Sequence, residues 1–189
     1  MHKGRLEAFT DGVIAIIITI MVLEMKVPHG SNLAALASGA PVFLAYALSY
    51  TNVAIFWNNH HHMLQVSQRV DGRSLWANMY LLFWLSLVPF VIRWMDETGF
   101  AALPTAAYGL VLAMAAIGYL LLERMLIACN GADSALARAV GSDLKAKLSL
   151  SIYAAAIPLA FVQPWIAIVL YIAIALIWFI PDRRIESII

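Results

Sequence analysis

The chain has 189 residues, of which 63% are hydrophobic and only 12% charged, with a formal net charge of +1. Soluble domains average ~45–50% apolar and ~25% charged, so the composition excludes an ordinary soluble domain and points to an all-α, polytopic membrane protein. With no basic tail and no Lys/Arg run, it also excludes nucleic acid as a partner.

Six apolar segments are predicted, at about 7–27, 41–61, 75–94, 104–126, 148–162 and 165–180, forming one transmembrane domain over residues 1–189. In the first, Val13 to Leu23 is apolar except for Thr19, while Arg5, Glu7 and Asp11 stand just upstream. At ~1.5 Å per residue, Phe9 to Val27 spans roughly 27 Å, close to the ~30 Å of bilayer hydrocarbon. No small-residue cleavage site follows the apolar run, so this helix is expected to stay attached. A carboxylate at membrane depth is costly and faces a partner or water, so Asp11 argues that the helix sits inside an assembly.

At ~100° per residue, Ile16, Ile20 and Leu23 fall within about 40° of one another, with Gly12 and Phe9 continuing the stripe. Thr19 lies about 60° to one side of Ile16, and Asp11 about 140° away, toward a different neighbour. The spacing alone fits ordinary helix packing as well as a conduit lining.

Lys26 to Asn32 is a Pro- and Gly-containing loop, and Glu24 and Lys26 are expected to anchor the membrane interface. The second segment starts at Pro41, a favoured first-turn residue. Its Ser49, Thr51, Asn52, Asn58 and Asn59 are too many polar groups for lipid on every side. Three consecutive histidines, His60 to His62, point ~100° apart and cannot converge on one ion, so no metal site is expected. Residues 65–74 are a polar connection. The third segment is flanked by Trp76 and Trp94, which suit headgroup zones, and Pro89 is expected to bend it. The fourth carries Tyr108-Gly109 and Gly118, small-residue positions that permit close helix contact, and Cys129, a single thiol that excludes an internal disulfide. The carbonyl-filter motif TVGYG is absent from the chain.

After the polar stretch from Asn130 to Lys147, Ser142 and Asp143 read as the cap of the fifth helix. Only Gln163-Pro164 separates the fifth and sixth segments. One bent helix would be roughly 50 Å long, well over the ~30 Å core, so a hairpin of two short helices is expected. With six crossings and both termini cytoplasmic, Lys3, Arg5, Arg69, Arg73, Arg124, Arg138, Lys145, Lys147, Arg183 and Arg184 fall inside, and only Lys26 and Arg93 outside. That asymmetry supports a multi-pass protein of the cell membrane in this orientation. The two halves share no motif.

Arg5-x-x-x-Phe9-Thr10-Asp11-Gly12, followed by an apolar helix ending at Leu23-Glu24-x-Lys26-Val27-Pro28, resembles the bacterial branch of the TMEM175 family of potassium channels. The family signature is R-x-x-x-F-S-D, and Thr10 stands where Ser is usual, keeping the hydroxyl. Phe56-Trp57-Asn58-Asn59-His60-His61 is similar to the family's second-helix ending. The resemblance implies a homotetramer in the lipid bilayer that conducts potassium ions, with no cofactor. It puts Ile16 at the family's constriction, with Ile20 and Leu23 on the next turns. It also implies a network joining Arg5 and Asp11 to a histidine of the second helix, His60 or His61. One chain carrying one such helix cannot enclose a path, so identical chains would surround an axis. Four aliphatic side chains at each level would form stacked rings, with the Thr19 hydroxyl beside them. The competing reading is a proton-coupled or proton-permeable transporter using Asp11 and His60 or His61, although neither the repeats nor the broken helices of such carriers are evident. No nucleophile–base pair or metal cluster suggests an enzyme.

Overall fold

The structure, a computed structural model, describes residues 3–140 and 144–179. Ser142, Asp143, Ile180, Arg183 and Arg184 lie outside the described residues. Helices α1 (Lys3–Leu23), α2 (Leu33–Ser38), α3 (Ala40–Val66), α4 (Gly72–Ser86), α5 (Val88–Glu97), α6 (Ala102–Asn130), α7 (Ala135–Val140), α8 (Leu144–Val162) and α9 (Pro164–Phe179) follow in order, with no strand among the described residues. Taking α4 and α5 as one span, five helical stretches are long and apolar enough to cross a bilayer, and α9 is a shorter apolar sixth.

Several elements depart from the sequence reading for local reasons. The second segment does not stop at His61. Met63 and Leu64 are buried, and the helix runs on until Ser67 closes it, its hydroxyl donating to Met63 O at 2.8 Å and its amide to Leu64 O at 3.0 Å. The third segment starts earlier, at Gly72, because Asp71 caps it: the Ser74 amide and hydroxyl each donate to the Asp71 carboxylate at 2.8 Å. Those two bonds, the backbone one first, hold the Asp71 carboxyl below its ordinary range. Pro89 does more than bend this span. Lacking an N–H, it cannot bond back to Leu85, and the helix breaks at Leu87 into α4 and α5. The fourth segment continues to Asn130, whose side chain accepts from the Gln68 and Arg69 amides at 2.9 Å each and donates to Arg69 O at 3.0 Å. One amide thereby pins the α3–α4 connection to the end of α6. The polar stretch after Asn130 contains a short helix, α7.

Helix α6 is the centre of the bundle, packed against α4, α5, α8 and α9, while α1 packs on α3, α4 and α5. Its two glycines allow the closest approaches. A Cβ on Gly118 would lie 2.9 Å from Leu81 Cα, and one on Gly109 would overlap the Tyr171 ring. Helices α8 and α9 fold back on each other across Gln163, with Pro164 as the first residue of α9, so a hairpin forms rather than one bent helix. Lys3 Nζ donates to Leu64 O at 2.9 Å, joining the N-terminus to the end of α3. At the opposite end, Arg93 pairs with Glu24 at 2.6 Å and Lys26 with Asp96 at 3.5 Å.

Candidate functional site

Helix α1 is divided lengthwise. Leu6, Thr10, Ile14, Ile17 and Met21, spaced by three or four residues, form its buried stripe. The opposite half of the circumference is exposed in the single chain: Ile16 is 59% exposed, Ile20 41% and Leu23 76%, and Phe9, Asp11, Gly12 and Thr19 are exposed as well. Thr19 lies near the middle of this outward arc, and its hydroxyl donates to Ala15 O at 2.8 Å. The aliphatic stripe occupies one flank of the arc. There Ile16 and Ile20, with Ser86, Pro89 and Phe90, line an open groove of about 460 Å³ that Glu24 and Arg93 rim. Asp11 occupies the other flank, beside α3. A Cβ on Gly12 would meet nothing within 4 Å, so packing within the chain does not require a glycine there.

The polar contacts of α1 do not form the single network that the resemblance implies. Arg5 is exposed, and among the described residues it makes no side-chain hydrogen bond or ion pair. Asp11 accepts from Trp57 Nε1 at 2.8 Å, and His61 stacks on the Trp57 ring with centroids 6.0 Å apart. Asp11 thus reaches His61 only through Trp57. The other histidine belongs to a separate tie: Asn78 Nδ2 donates to Thr10 Oγ1 at 2.9 Å, and Asn78 Oδ1 lies 2.9 Å from His60 Nε2. Asn78 thus presents one end of its amide to α1 and the other to α3. Thr10 and Asn78 are fully buried, and His60 is 2% exposed.

The split follows from helix phase. Ser49, Asn52, Val53, His60, Met63 and Leu64 share the buried side of α3, which turns His60 inward and leaves His61 on the outer edge facing α1. The Thr10 hydroxyl is the group that engages the interior, and the Asp11 carboxylate engages the rim. Sequence reasoning missed Asn78 as the residue joining α1, α3 and α4; its one signal is an amide in an otherwise apolar stretch of α4. Glu24 and Lys26, expected as interface anchors, form ion pairs with Arg93 and Asp96 and fasten the end of α1 to α5. Among the described residues no three His, Cys, Asp or Glu side chains are grouped to hold a metal.

The family model described as endosomal/lysosomal potassium channel TMEM175 matches residues 5–89, a range that contains Thr10, Asp11, Trp57, His60 and Asn78. A potassium channel of Chryseobacterium sp. (strain P1-3) is 53% identical over 187 residues, covering 99% of this chain and 97% of its own. The endosomal/lysosomal proton channel TMEM175 of Bos taurus is 39% identical over 96 residues, 44% of this chain and 20% of its own. Among solved structures, the crystal structure of a lysosomal potassium-selective channel TMEM175 homologue from Chamaesiphon minutus matches with a TM-score of 0.81 at 27% identity, over 95% of this chain and 97% of that one.

Proposed function

This chain belongs to the TMEM175 family of ion channels, and from that premise we propose that it is a potassium-selective channel whose filter is made of aliphatic rings from α1. The observation that carries the proposal is the outward half of α1. An arc that carries Asp11 and Thr19 beside Ile16, Ile20 and Leu23 is poorly suited to lipid over its whole width, because an exposed acid at membrane depth seeks protein or water. Other copies of the chain around an axis supply both, and four copies complete the assembly. The relative from Chryseobacterium, named a potassium channel and matched over nearly the whole chain, supports the choice of ion.

Selectivity in such a path comes from dehydration. Rings of Ile16, Ile20 and Leu23 offer no carbonyl to replace lost water, so the ion that holds its shell less tightly passes more easily, and that ion is potassium rather than sodium. The Thr19 hydroxyl lies beside the rings and gives a passing ion a single polar contact. The Thr10–Asn78–His60 tie serves this site by fixing the rotation of α1, since turning the helix would break the bond from Asn78 to Thr10, while His60 holds the amide in place from α3. No cofactor takes part. The chain is oriented with both termini in the cytoplasm, in the cell membrane.

The second reading, a proton-permeable path, draws on the bovine relative named a proton channel and on the Asp11–Trp57–His61 cluster at the edge of the arc. Reversal potentials of the reconstituted protein separate the two. A potassium channel follows the potassium gradient at fixed pH, whereas a proton path follows the pH gradient at fixed potassium. Replacing Ile16→Asn hydrates the constriction and should raise conductance on the order of severalfold while pulling the potassium-to-sodium permeability ratio toward unity. Unchanged currents in I16N would remove Ile16 from the filter.

A further inference from the structure

On the α9 side of the bundle an open groove of about 510 Å³ runs between α3 and α9, with α5 and α6 behind it. Its floor is buried, formed by Ile92, Met95, Tyr108, Tyr171 and Ala175, and its rims, Leu44, Ile172, Leu176 and Phe179, are exposed. No charged side chain lines it. The polar groups on the floor are already used: Tyr108 Oη lies 2.9 Å from Ser49 Oγ, and Tyr171 Oη donates to Thr105 O at 3.2 Å. The floor therefore offers an occupant dispersion contacts and no free hydrogen-bond donor. Both long walls are apolar helices of the bundle, α3 and α9, so the groove opens sideways at membrane depth. From Trp165 to Phe179 it extends roughly 21 Å along α9 at ~1.5 Å per residue, longer than half of the ~30 Å hydrocarbon core. At one mouth Trp165 stacks on Phe100 with centroids 5.6 Å apart, an aromatic pair of the kind that marks the headgroup level.

We propose that this groove is a seat for one acyl chain of a membrane phospholipid. A void of this size facing a bilayer forfeits contacts along its whole lining, and a neighbouring acyl chain restores them with no desolvation cost. A polar ligand would leave its own groups unpaired against a floor that has none to offer. The rims continue into the exposed apolar surface of Phe43 and Val169, so the chain can enter laterally from the surrounding lipid. No residue of α1 lines the groove, so its occupant does not touch the α1 arc.

The test is photolabelling of the intact protein in phosphatidylcholine vesicles doped with a phosphatidylcholine whose acyl chain bears a mid-chain diazirine, with adducts mapped by peptide mass spectrometry. Wild type should carry adducts on the groove floor, at Tyr108 and Ala175, as well as on the exposed Leu110 and Phe83. Filling the groove with Ala45→Phe makes a ring and an acyl chain compete for one space, and should lower the floor adducts on the order of tenfold. Adducts at Leu110 and Phe83 should stay constant, which reports that the variant is folded. Floor adducts missing from wild type, as when a second copy of the chain covers the groove, overturn the proposal, and so do floor adducts that A45F leaves unchanged.

Discussion

Replacing Asn78→Ala cuts both halves of the tie that joins α1 to α3 and α4. The two bonds are 2.9 Å long, and all three residues are 2% exposed or less, so water cannot take the place of the lost amide. Interhelical side-chain hydrogen bonds in membranes average ~0.6 kcal/mol and reach ~1.7, and each buried group left without a partner adds a penalty of its own. Losing both bonds and leaving the buried His60 Nε2 without a partner should cost about 2–4 kcal/mol. Equilibrium unfolding in mixed micelles measures this directly, and a cycle with Thr10→Val apportions it. If Thr10 and Asn78 are coupled as their geometry requires, the double variant loses less stability than the sum of the two singles, by about 0.6 kcal/mol or more. A change below ~0.5 kcal/mol in N78A, or strict additivity with T10V, would refute the argument that this amide fixes the position of α1.

Three further outcomes are expected. Gly118→Val sets a side chain against the Leu81 backbone, where a Cβ already comes within 2.9 Å, and should cost ~1–3 kcal/mol of overpacking, read as a lower unfolding midpoint; Gly12→Ala meets nothing within the chain and should stabilise the α1 helix by ~0.5–1 kcal/mol, raising that midpoint. Asp71→Ala removes the cap of α4 and should cost ~1 kcal/mol at neutral pH. Because the folded-state pKa of Asp71 is lowered, its contribution is fully present above the ordinary carboxylate range and lost as pH falls through the folded value, so wild type and D71A should converge in stability in acid.

The crossings were legible because each rests on a long apolar run, and the rotation of α1 followed from its own spacing: Ile16, Ile20 and Leu23 do share an exposed flank. The break at Leu87 was only half legible. Proline announced a bend, but the loss of the bond to Leu85 divides the span into two helices. The choice between His60 and His61 stayed open because the second helix was read by its polar content. Its phase, with Val53 and Leu64 on the side of His60, turns that ring inward to Asn78 and leaves His61 at the rim beside Trp57. Asn78 was out of reach for a different reason. One amide in α4 acquires meaning only when tertiary packing brings it between Thr10, 68 residues away, and His60, 18 residues away.

A span interrupted at Leu87 has no continuous hydrogen-bond ladder to carry torque from one face of the membrane to the other. Beyond that joint α5 is fastened to the last turn of α1 through Glu24 and Arg93, while α4 is fastened to the first turns of α1 through Asn78. The same rod is therefore gripped towards its two ends by the two halves of a broken span.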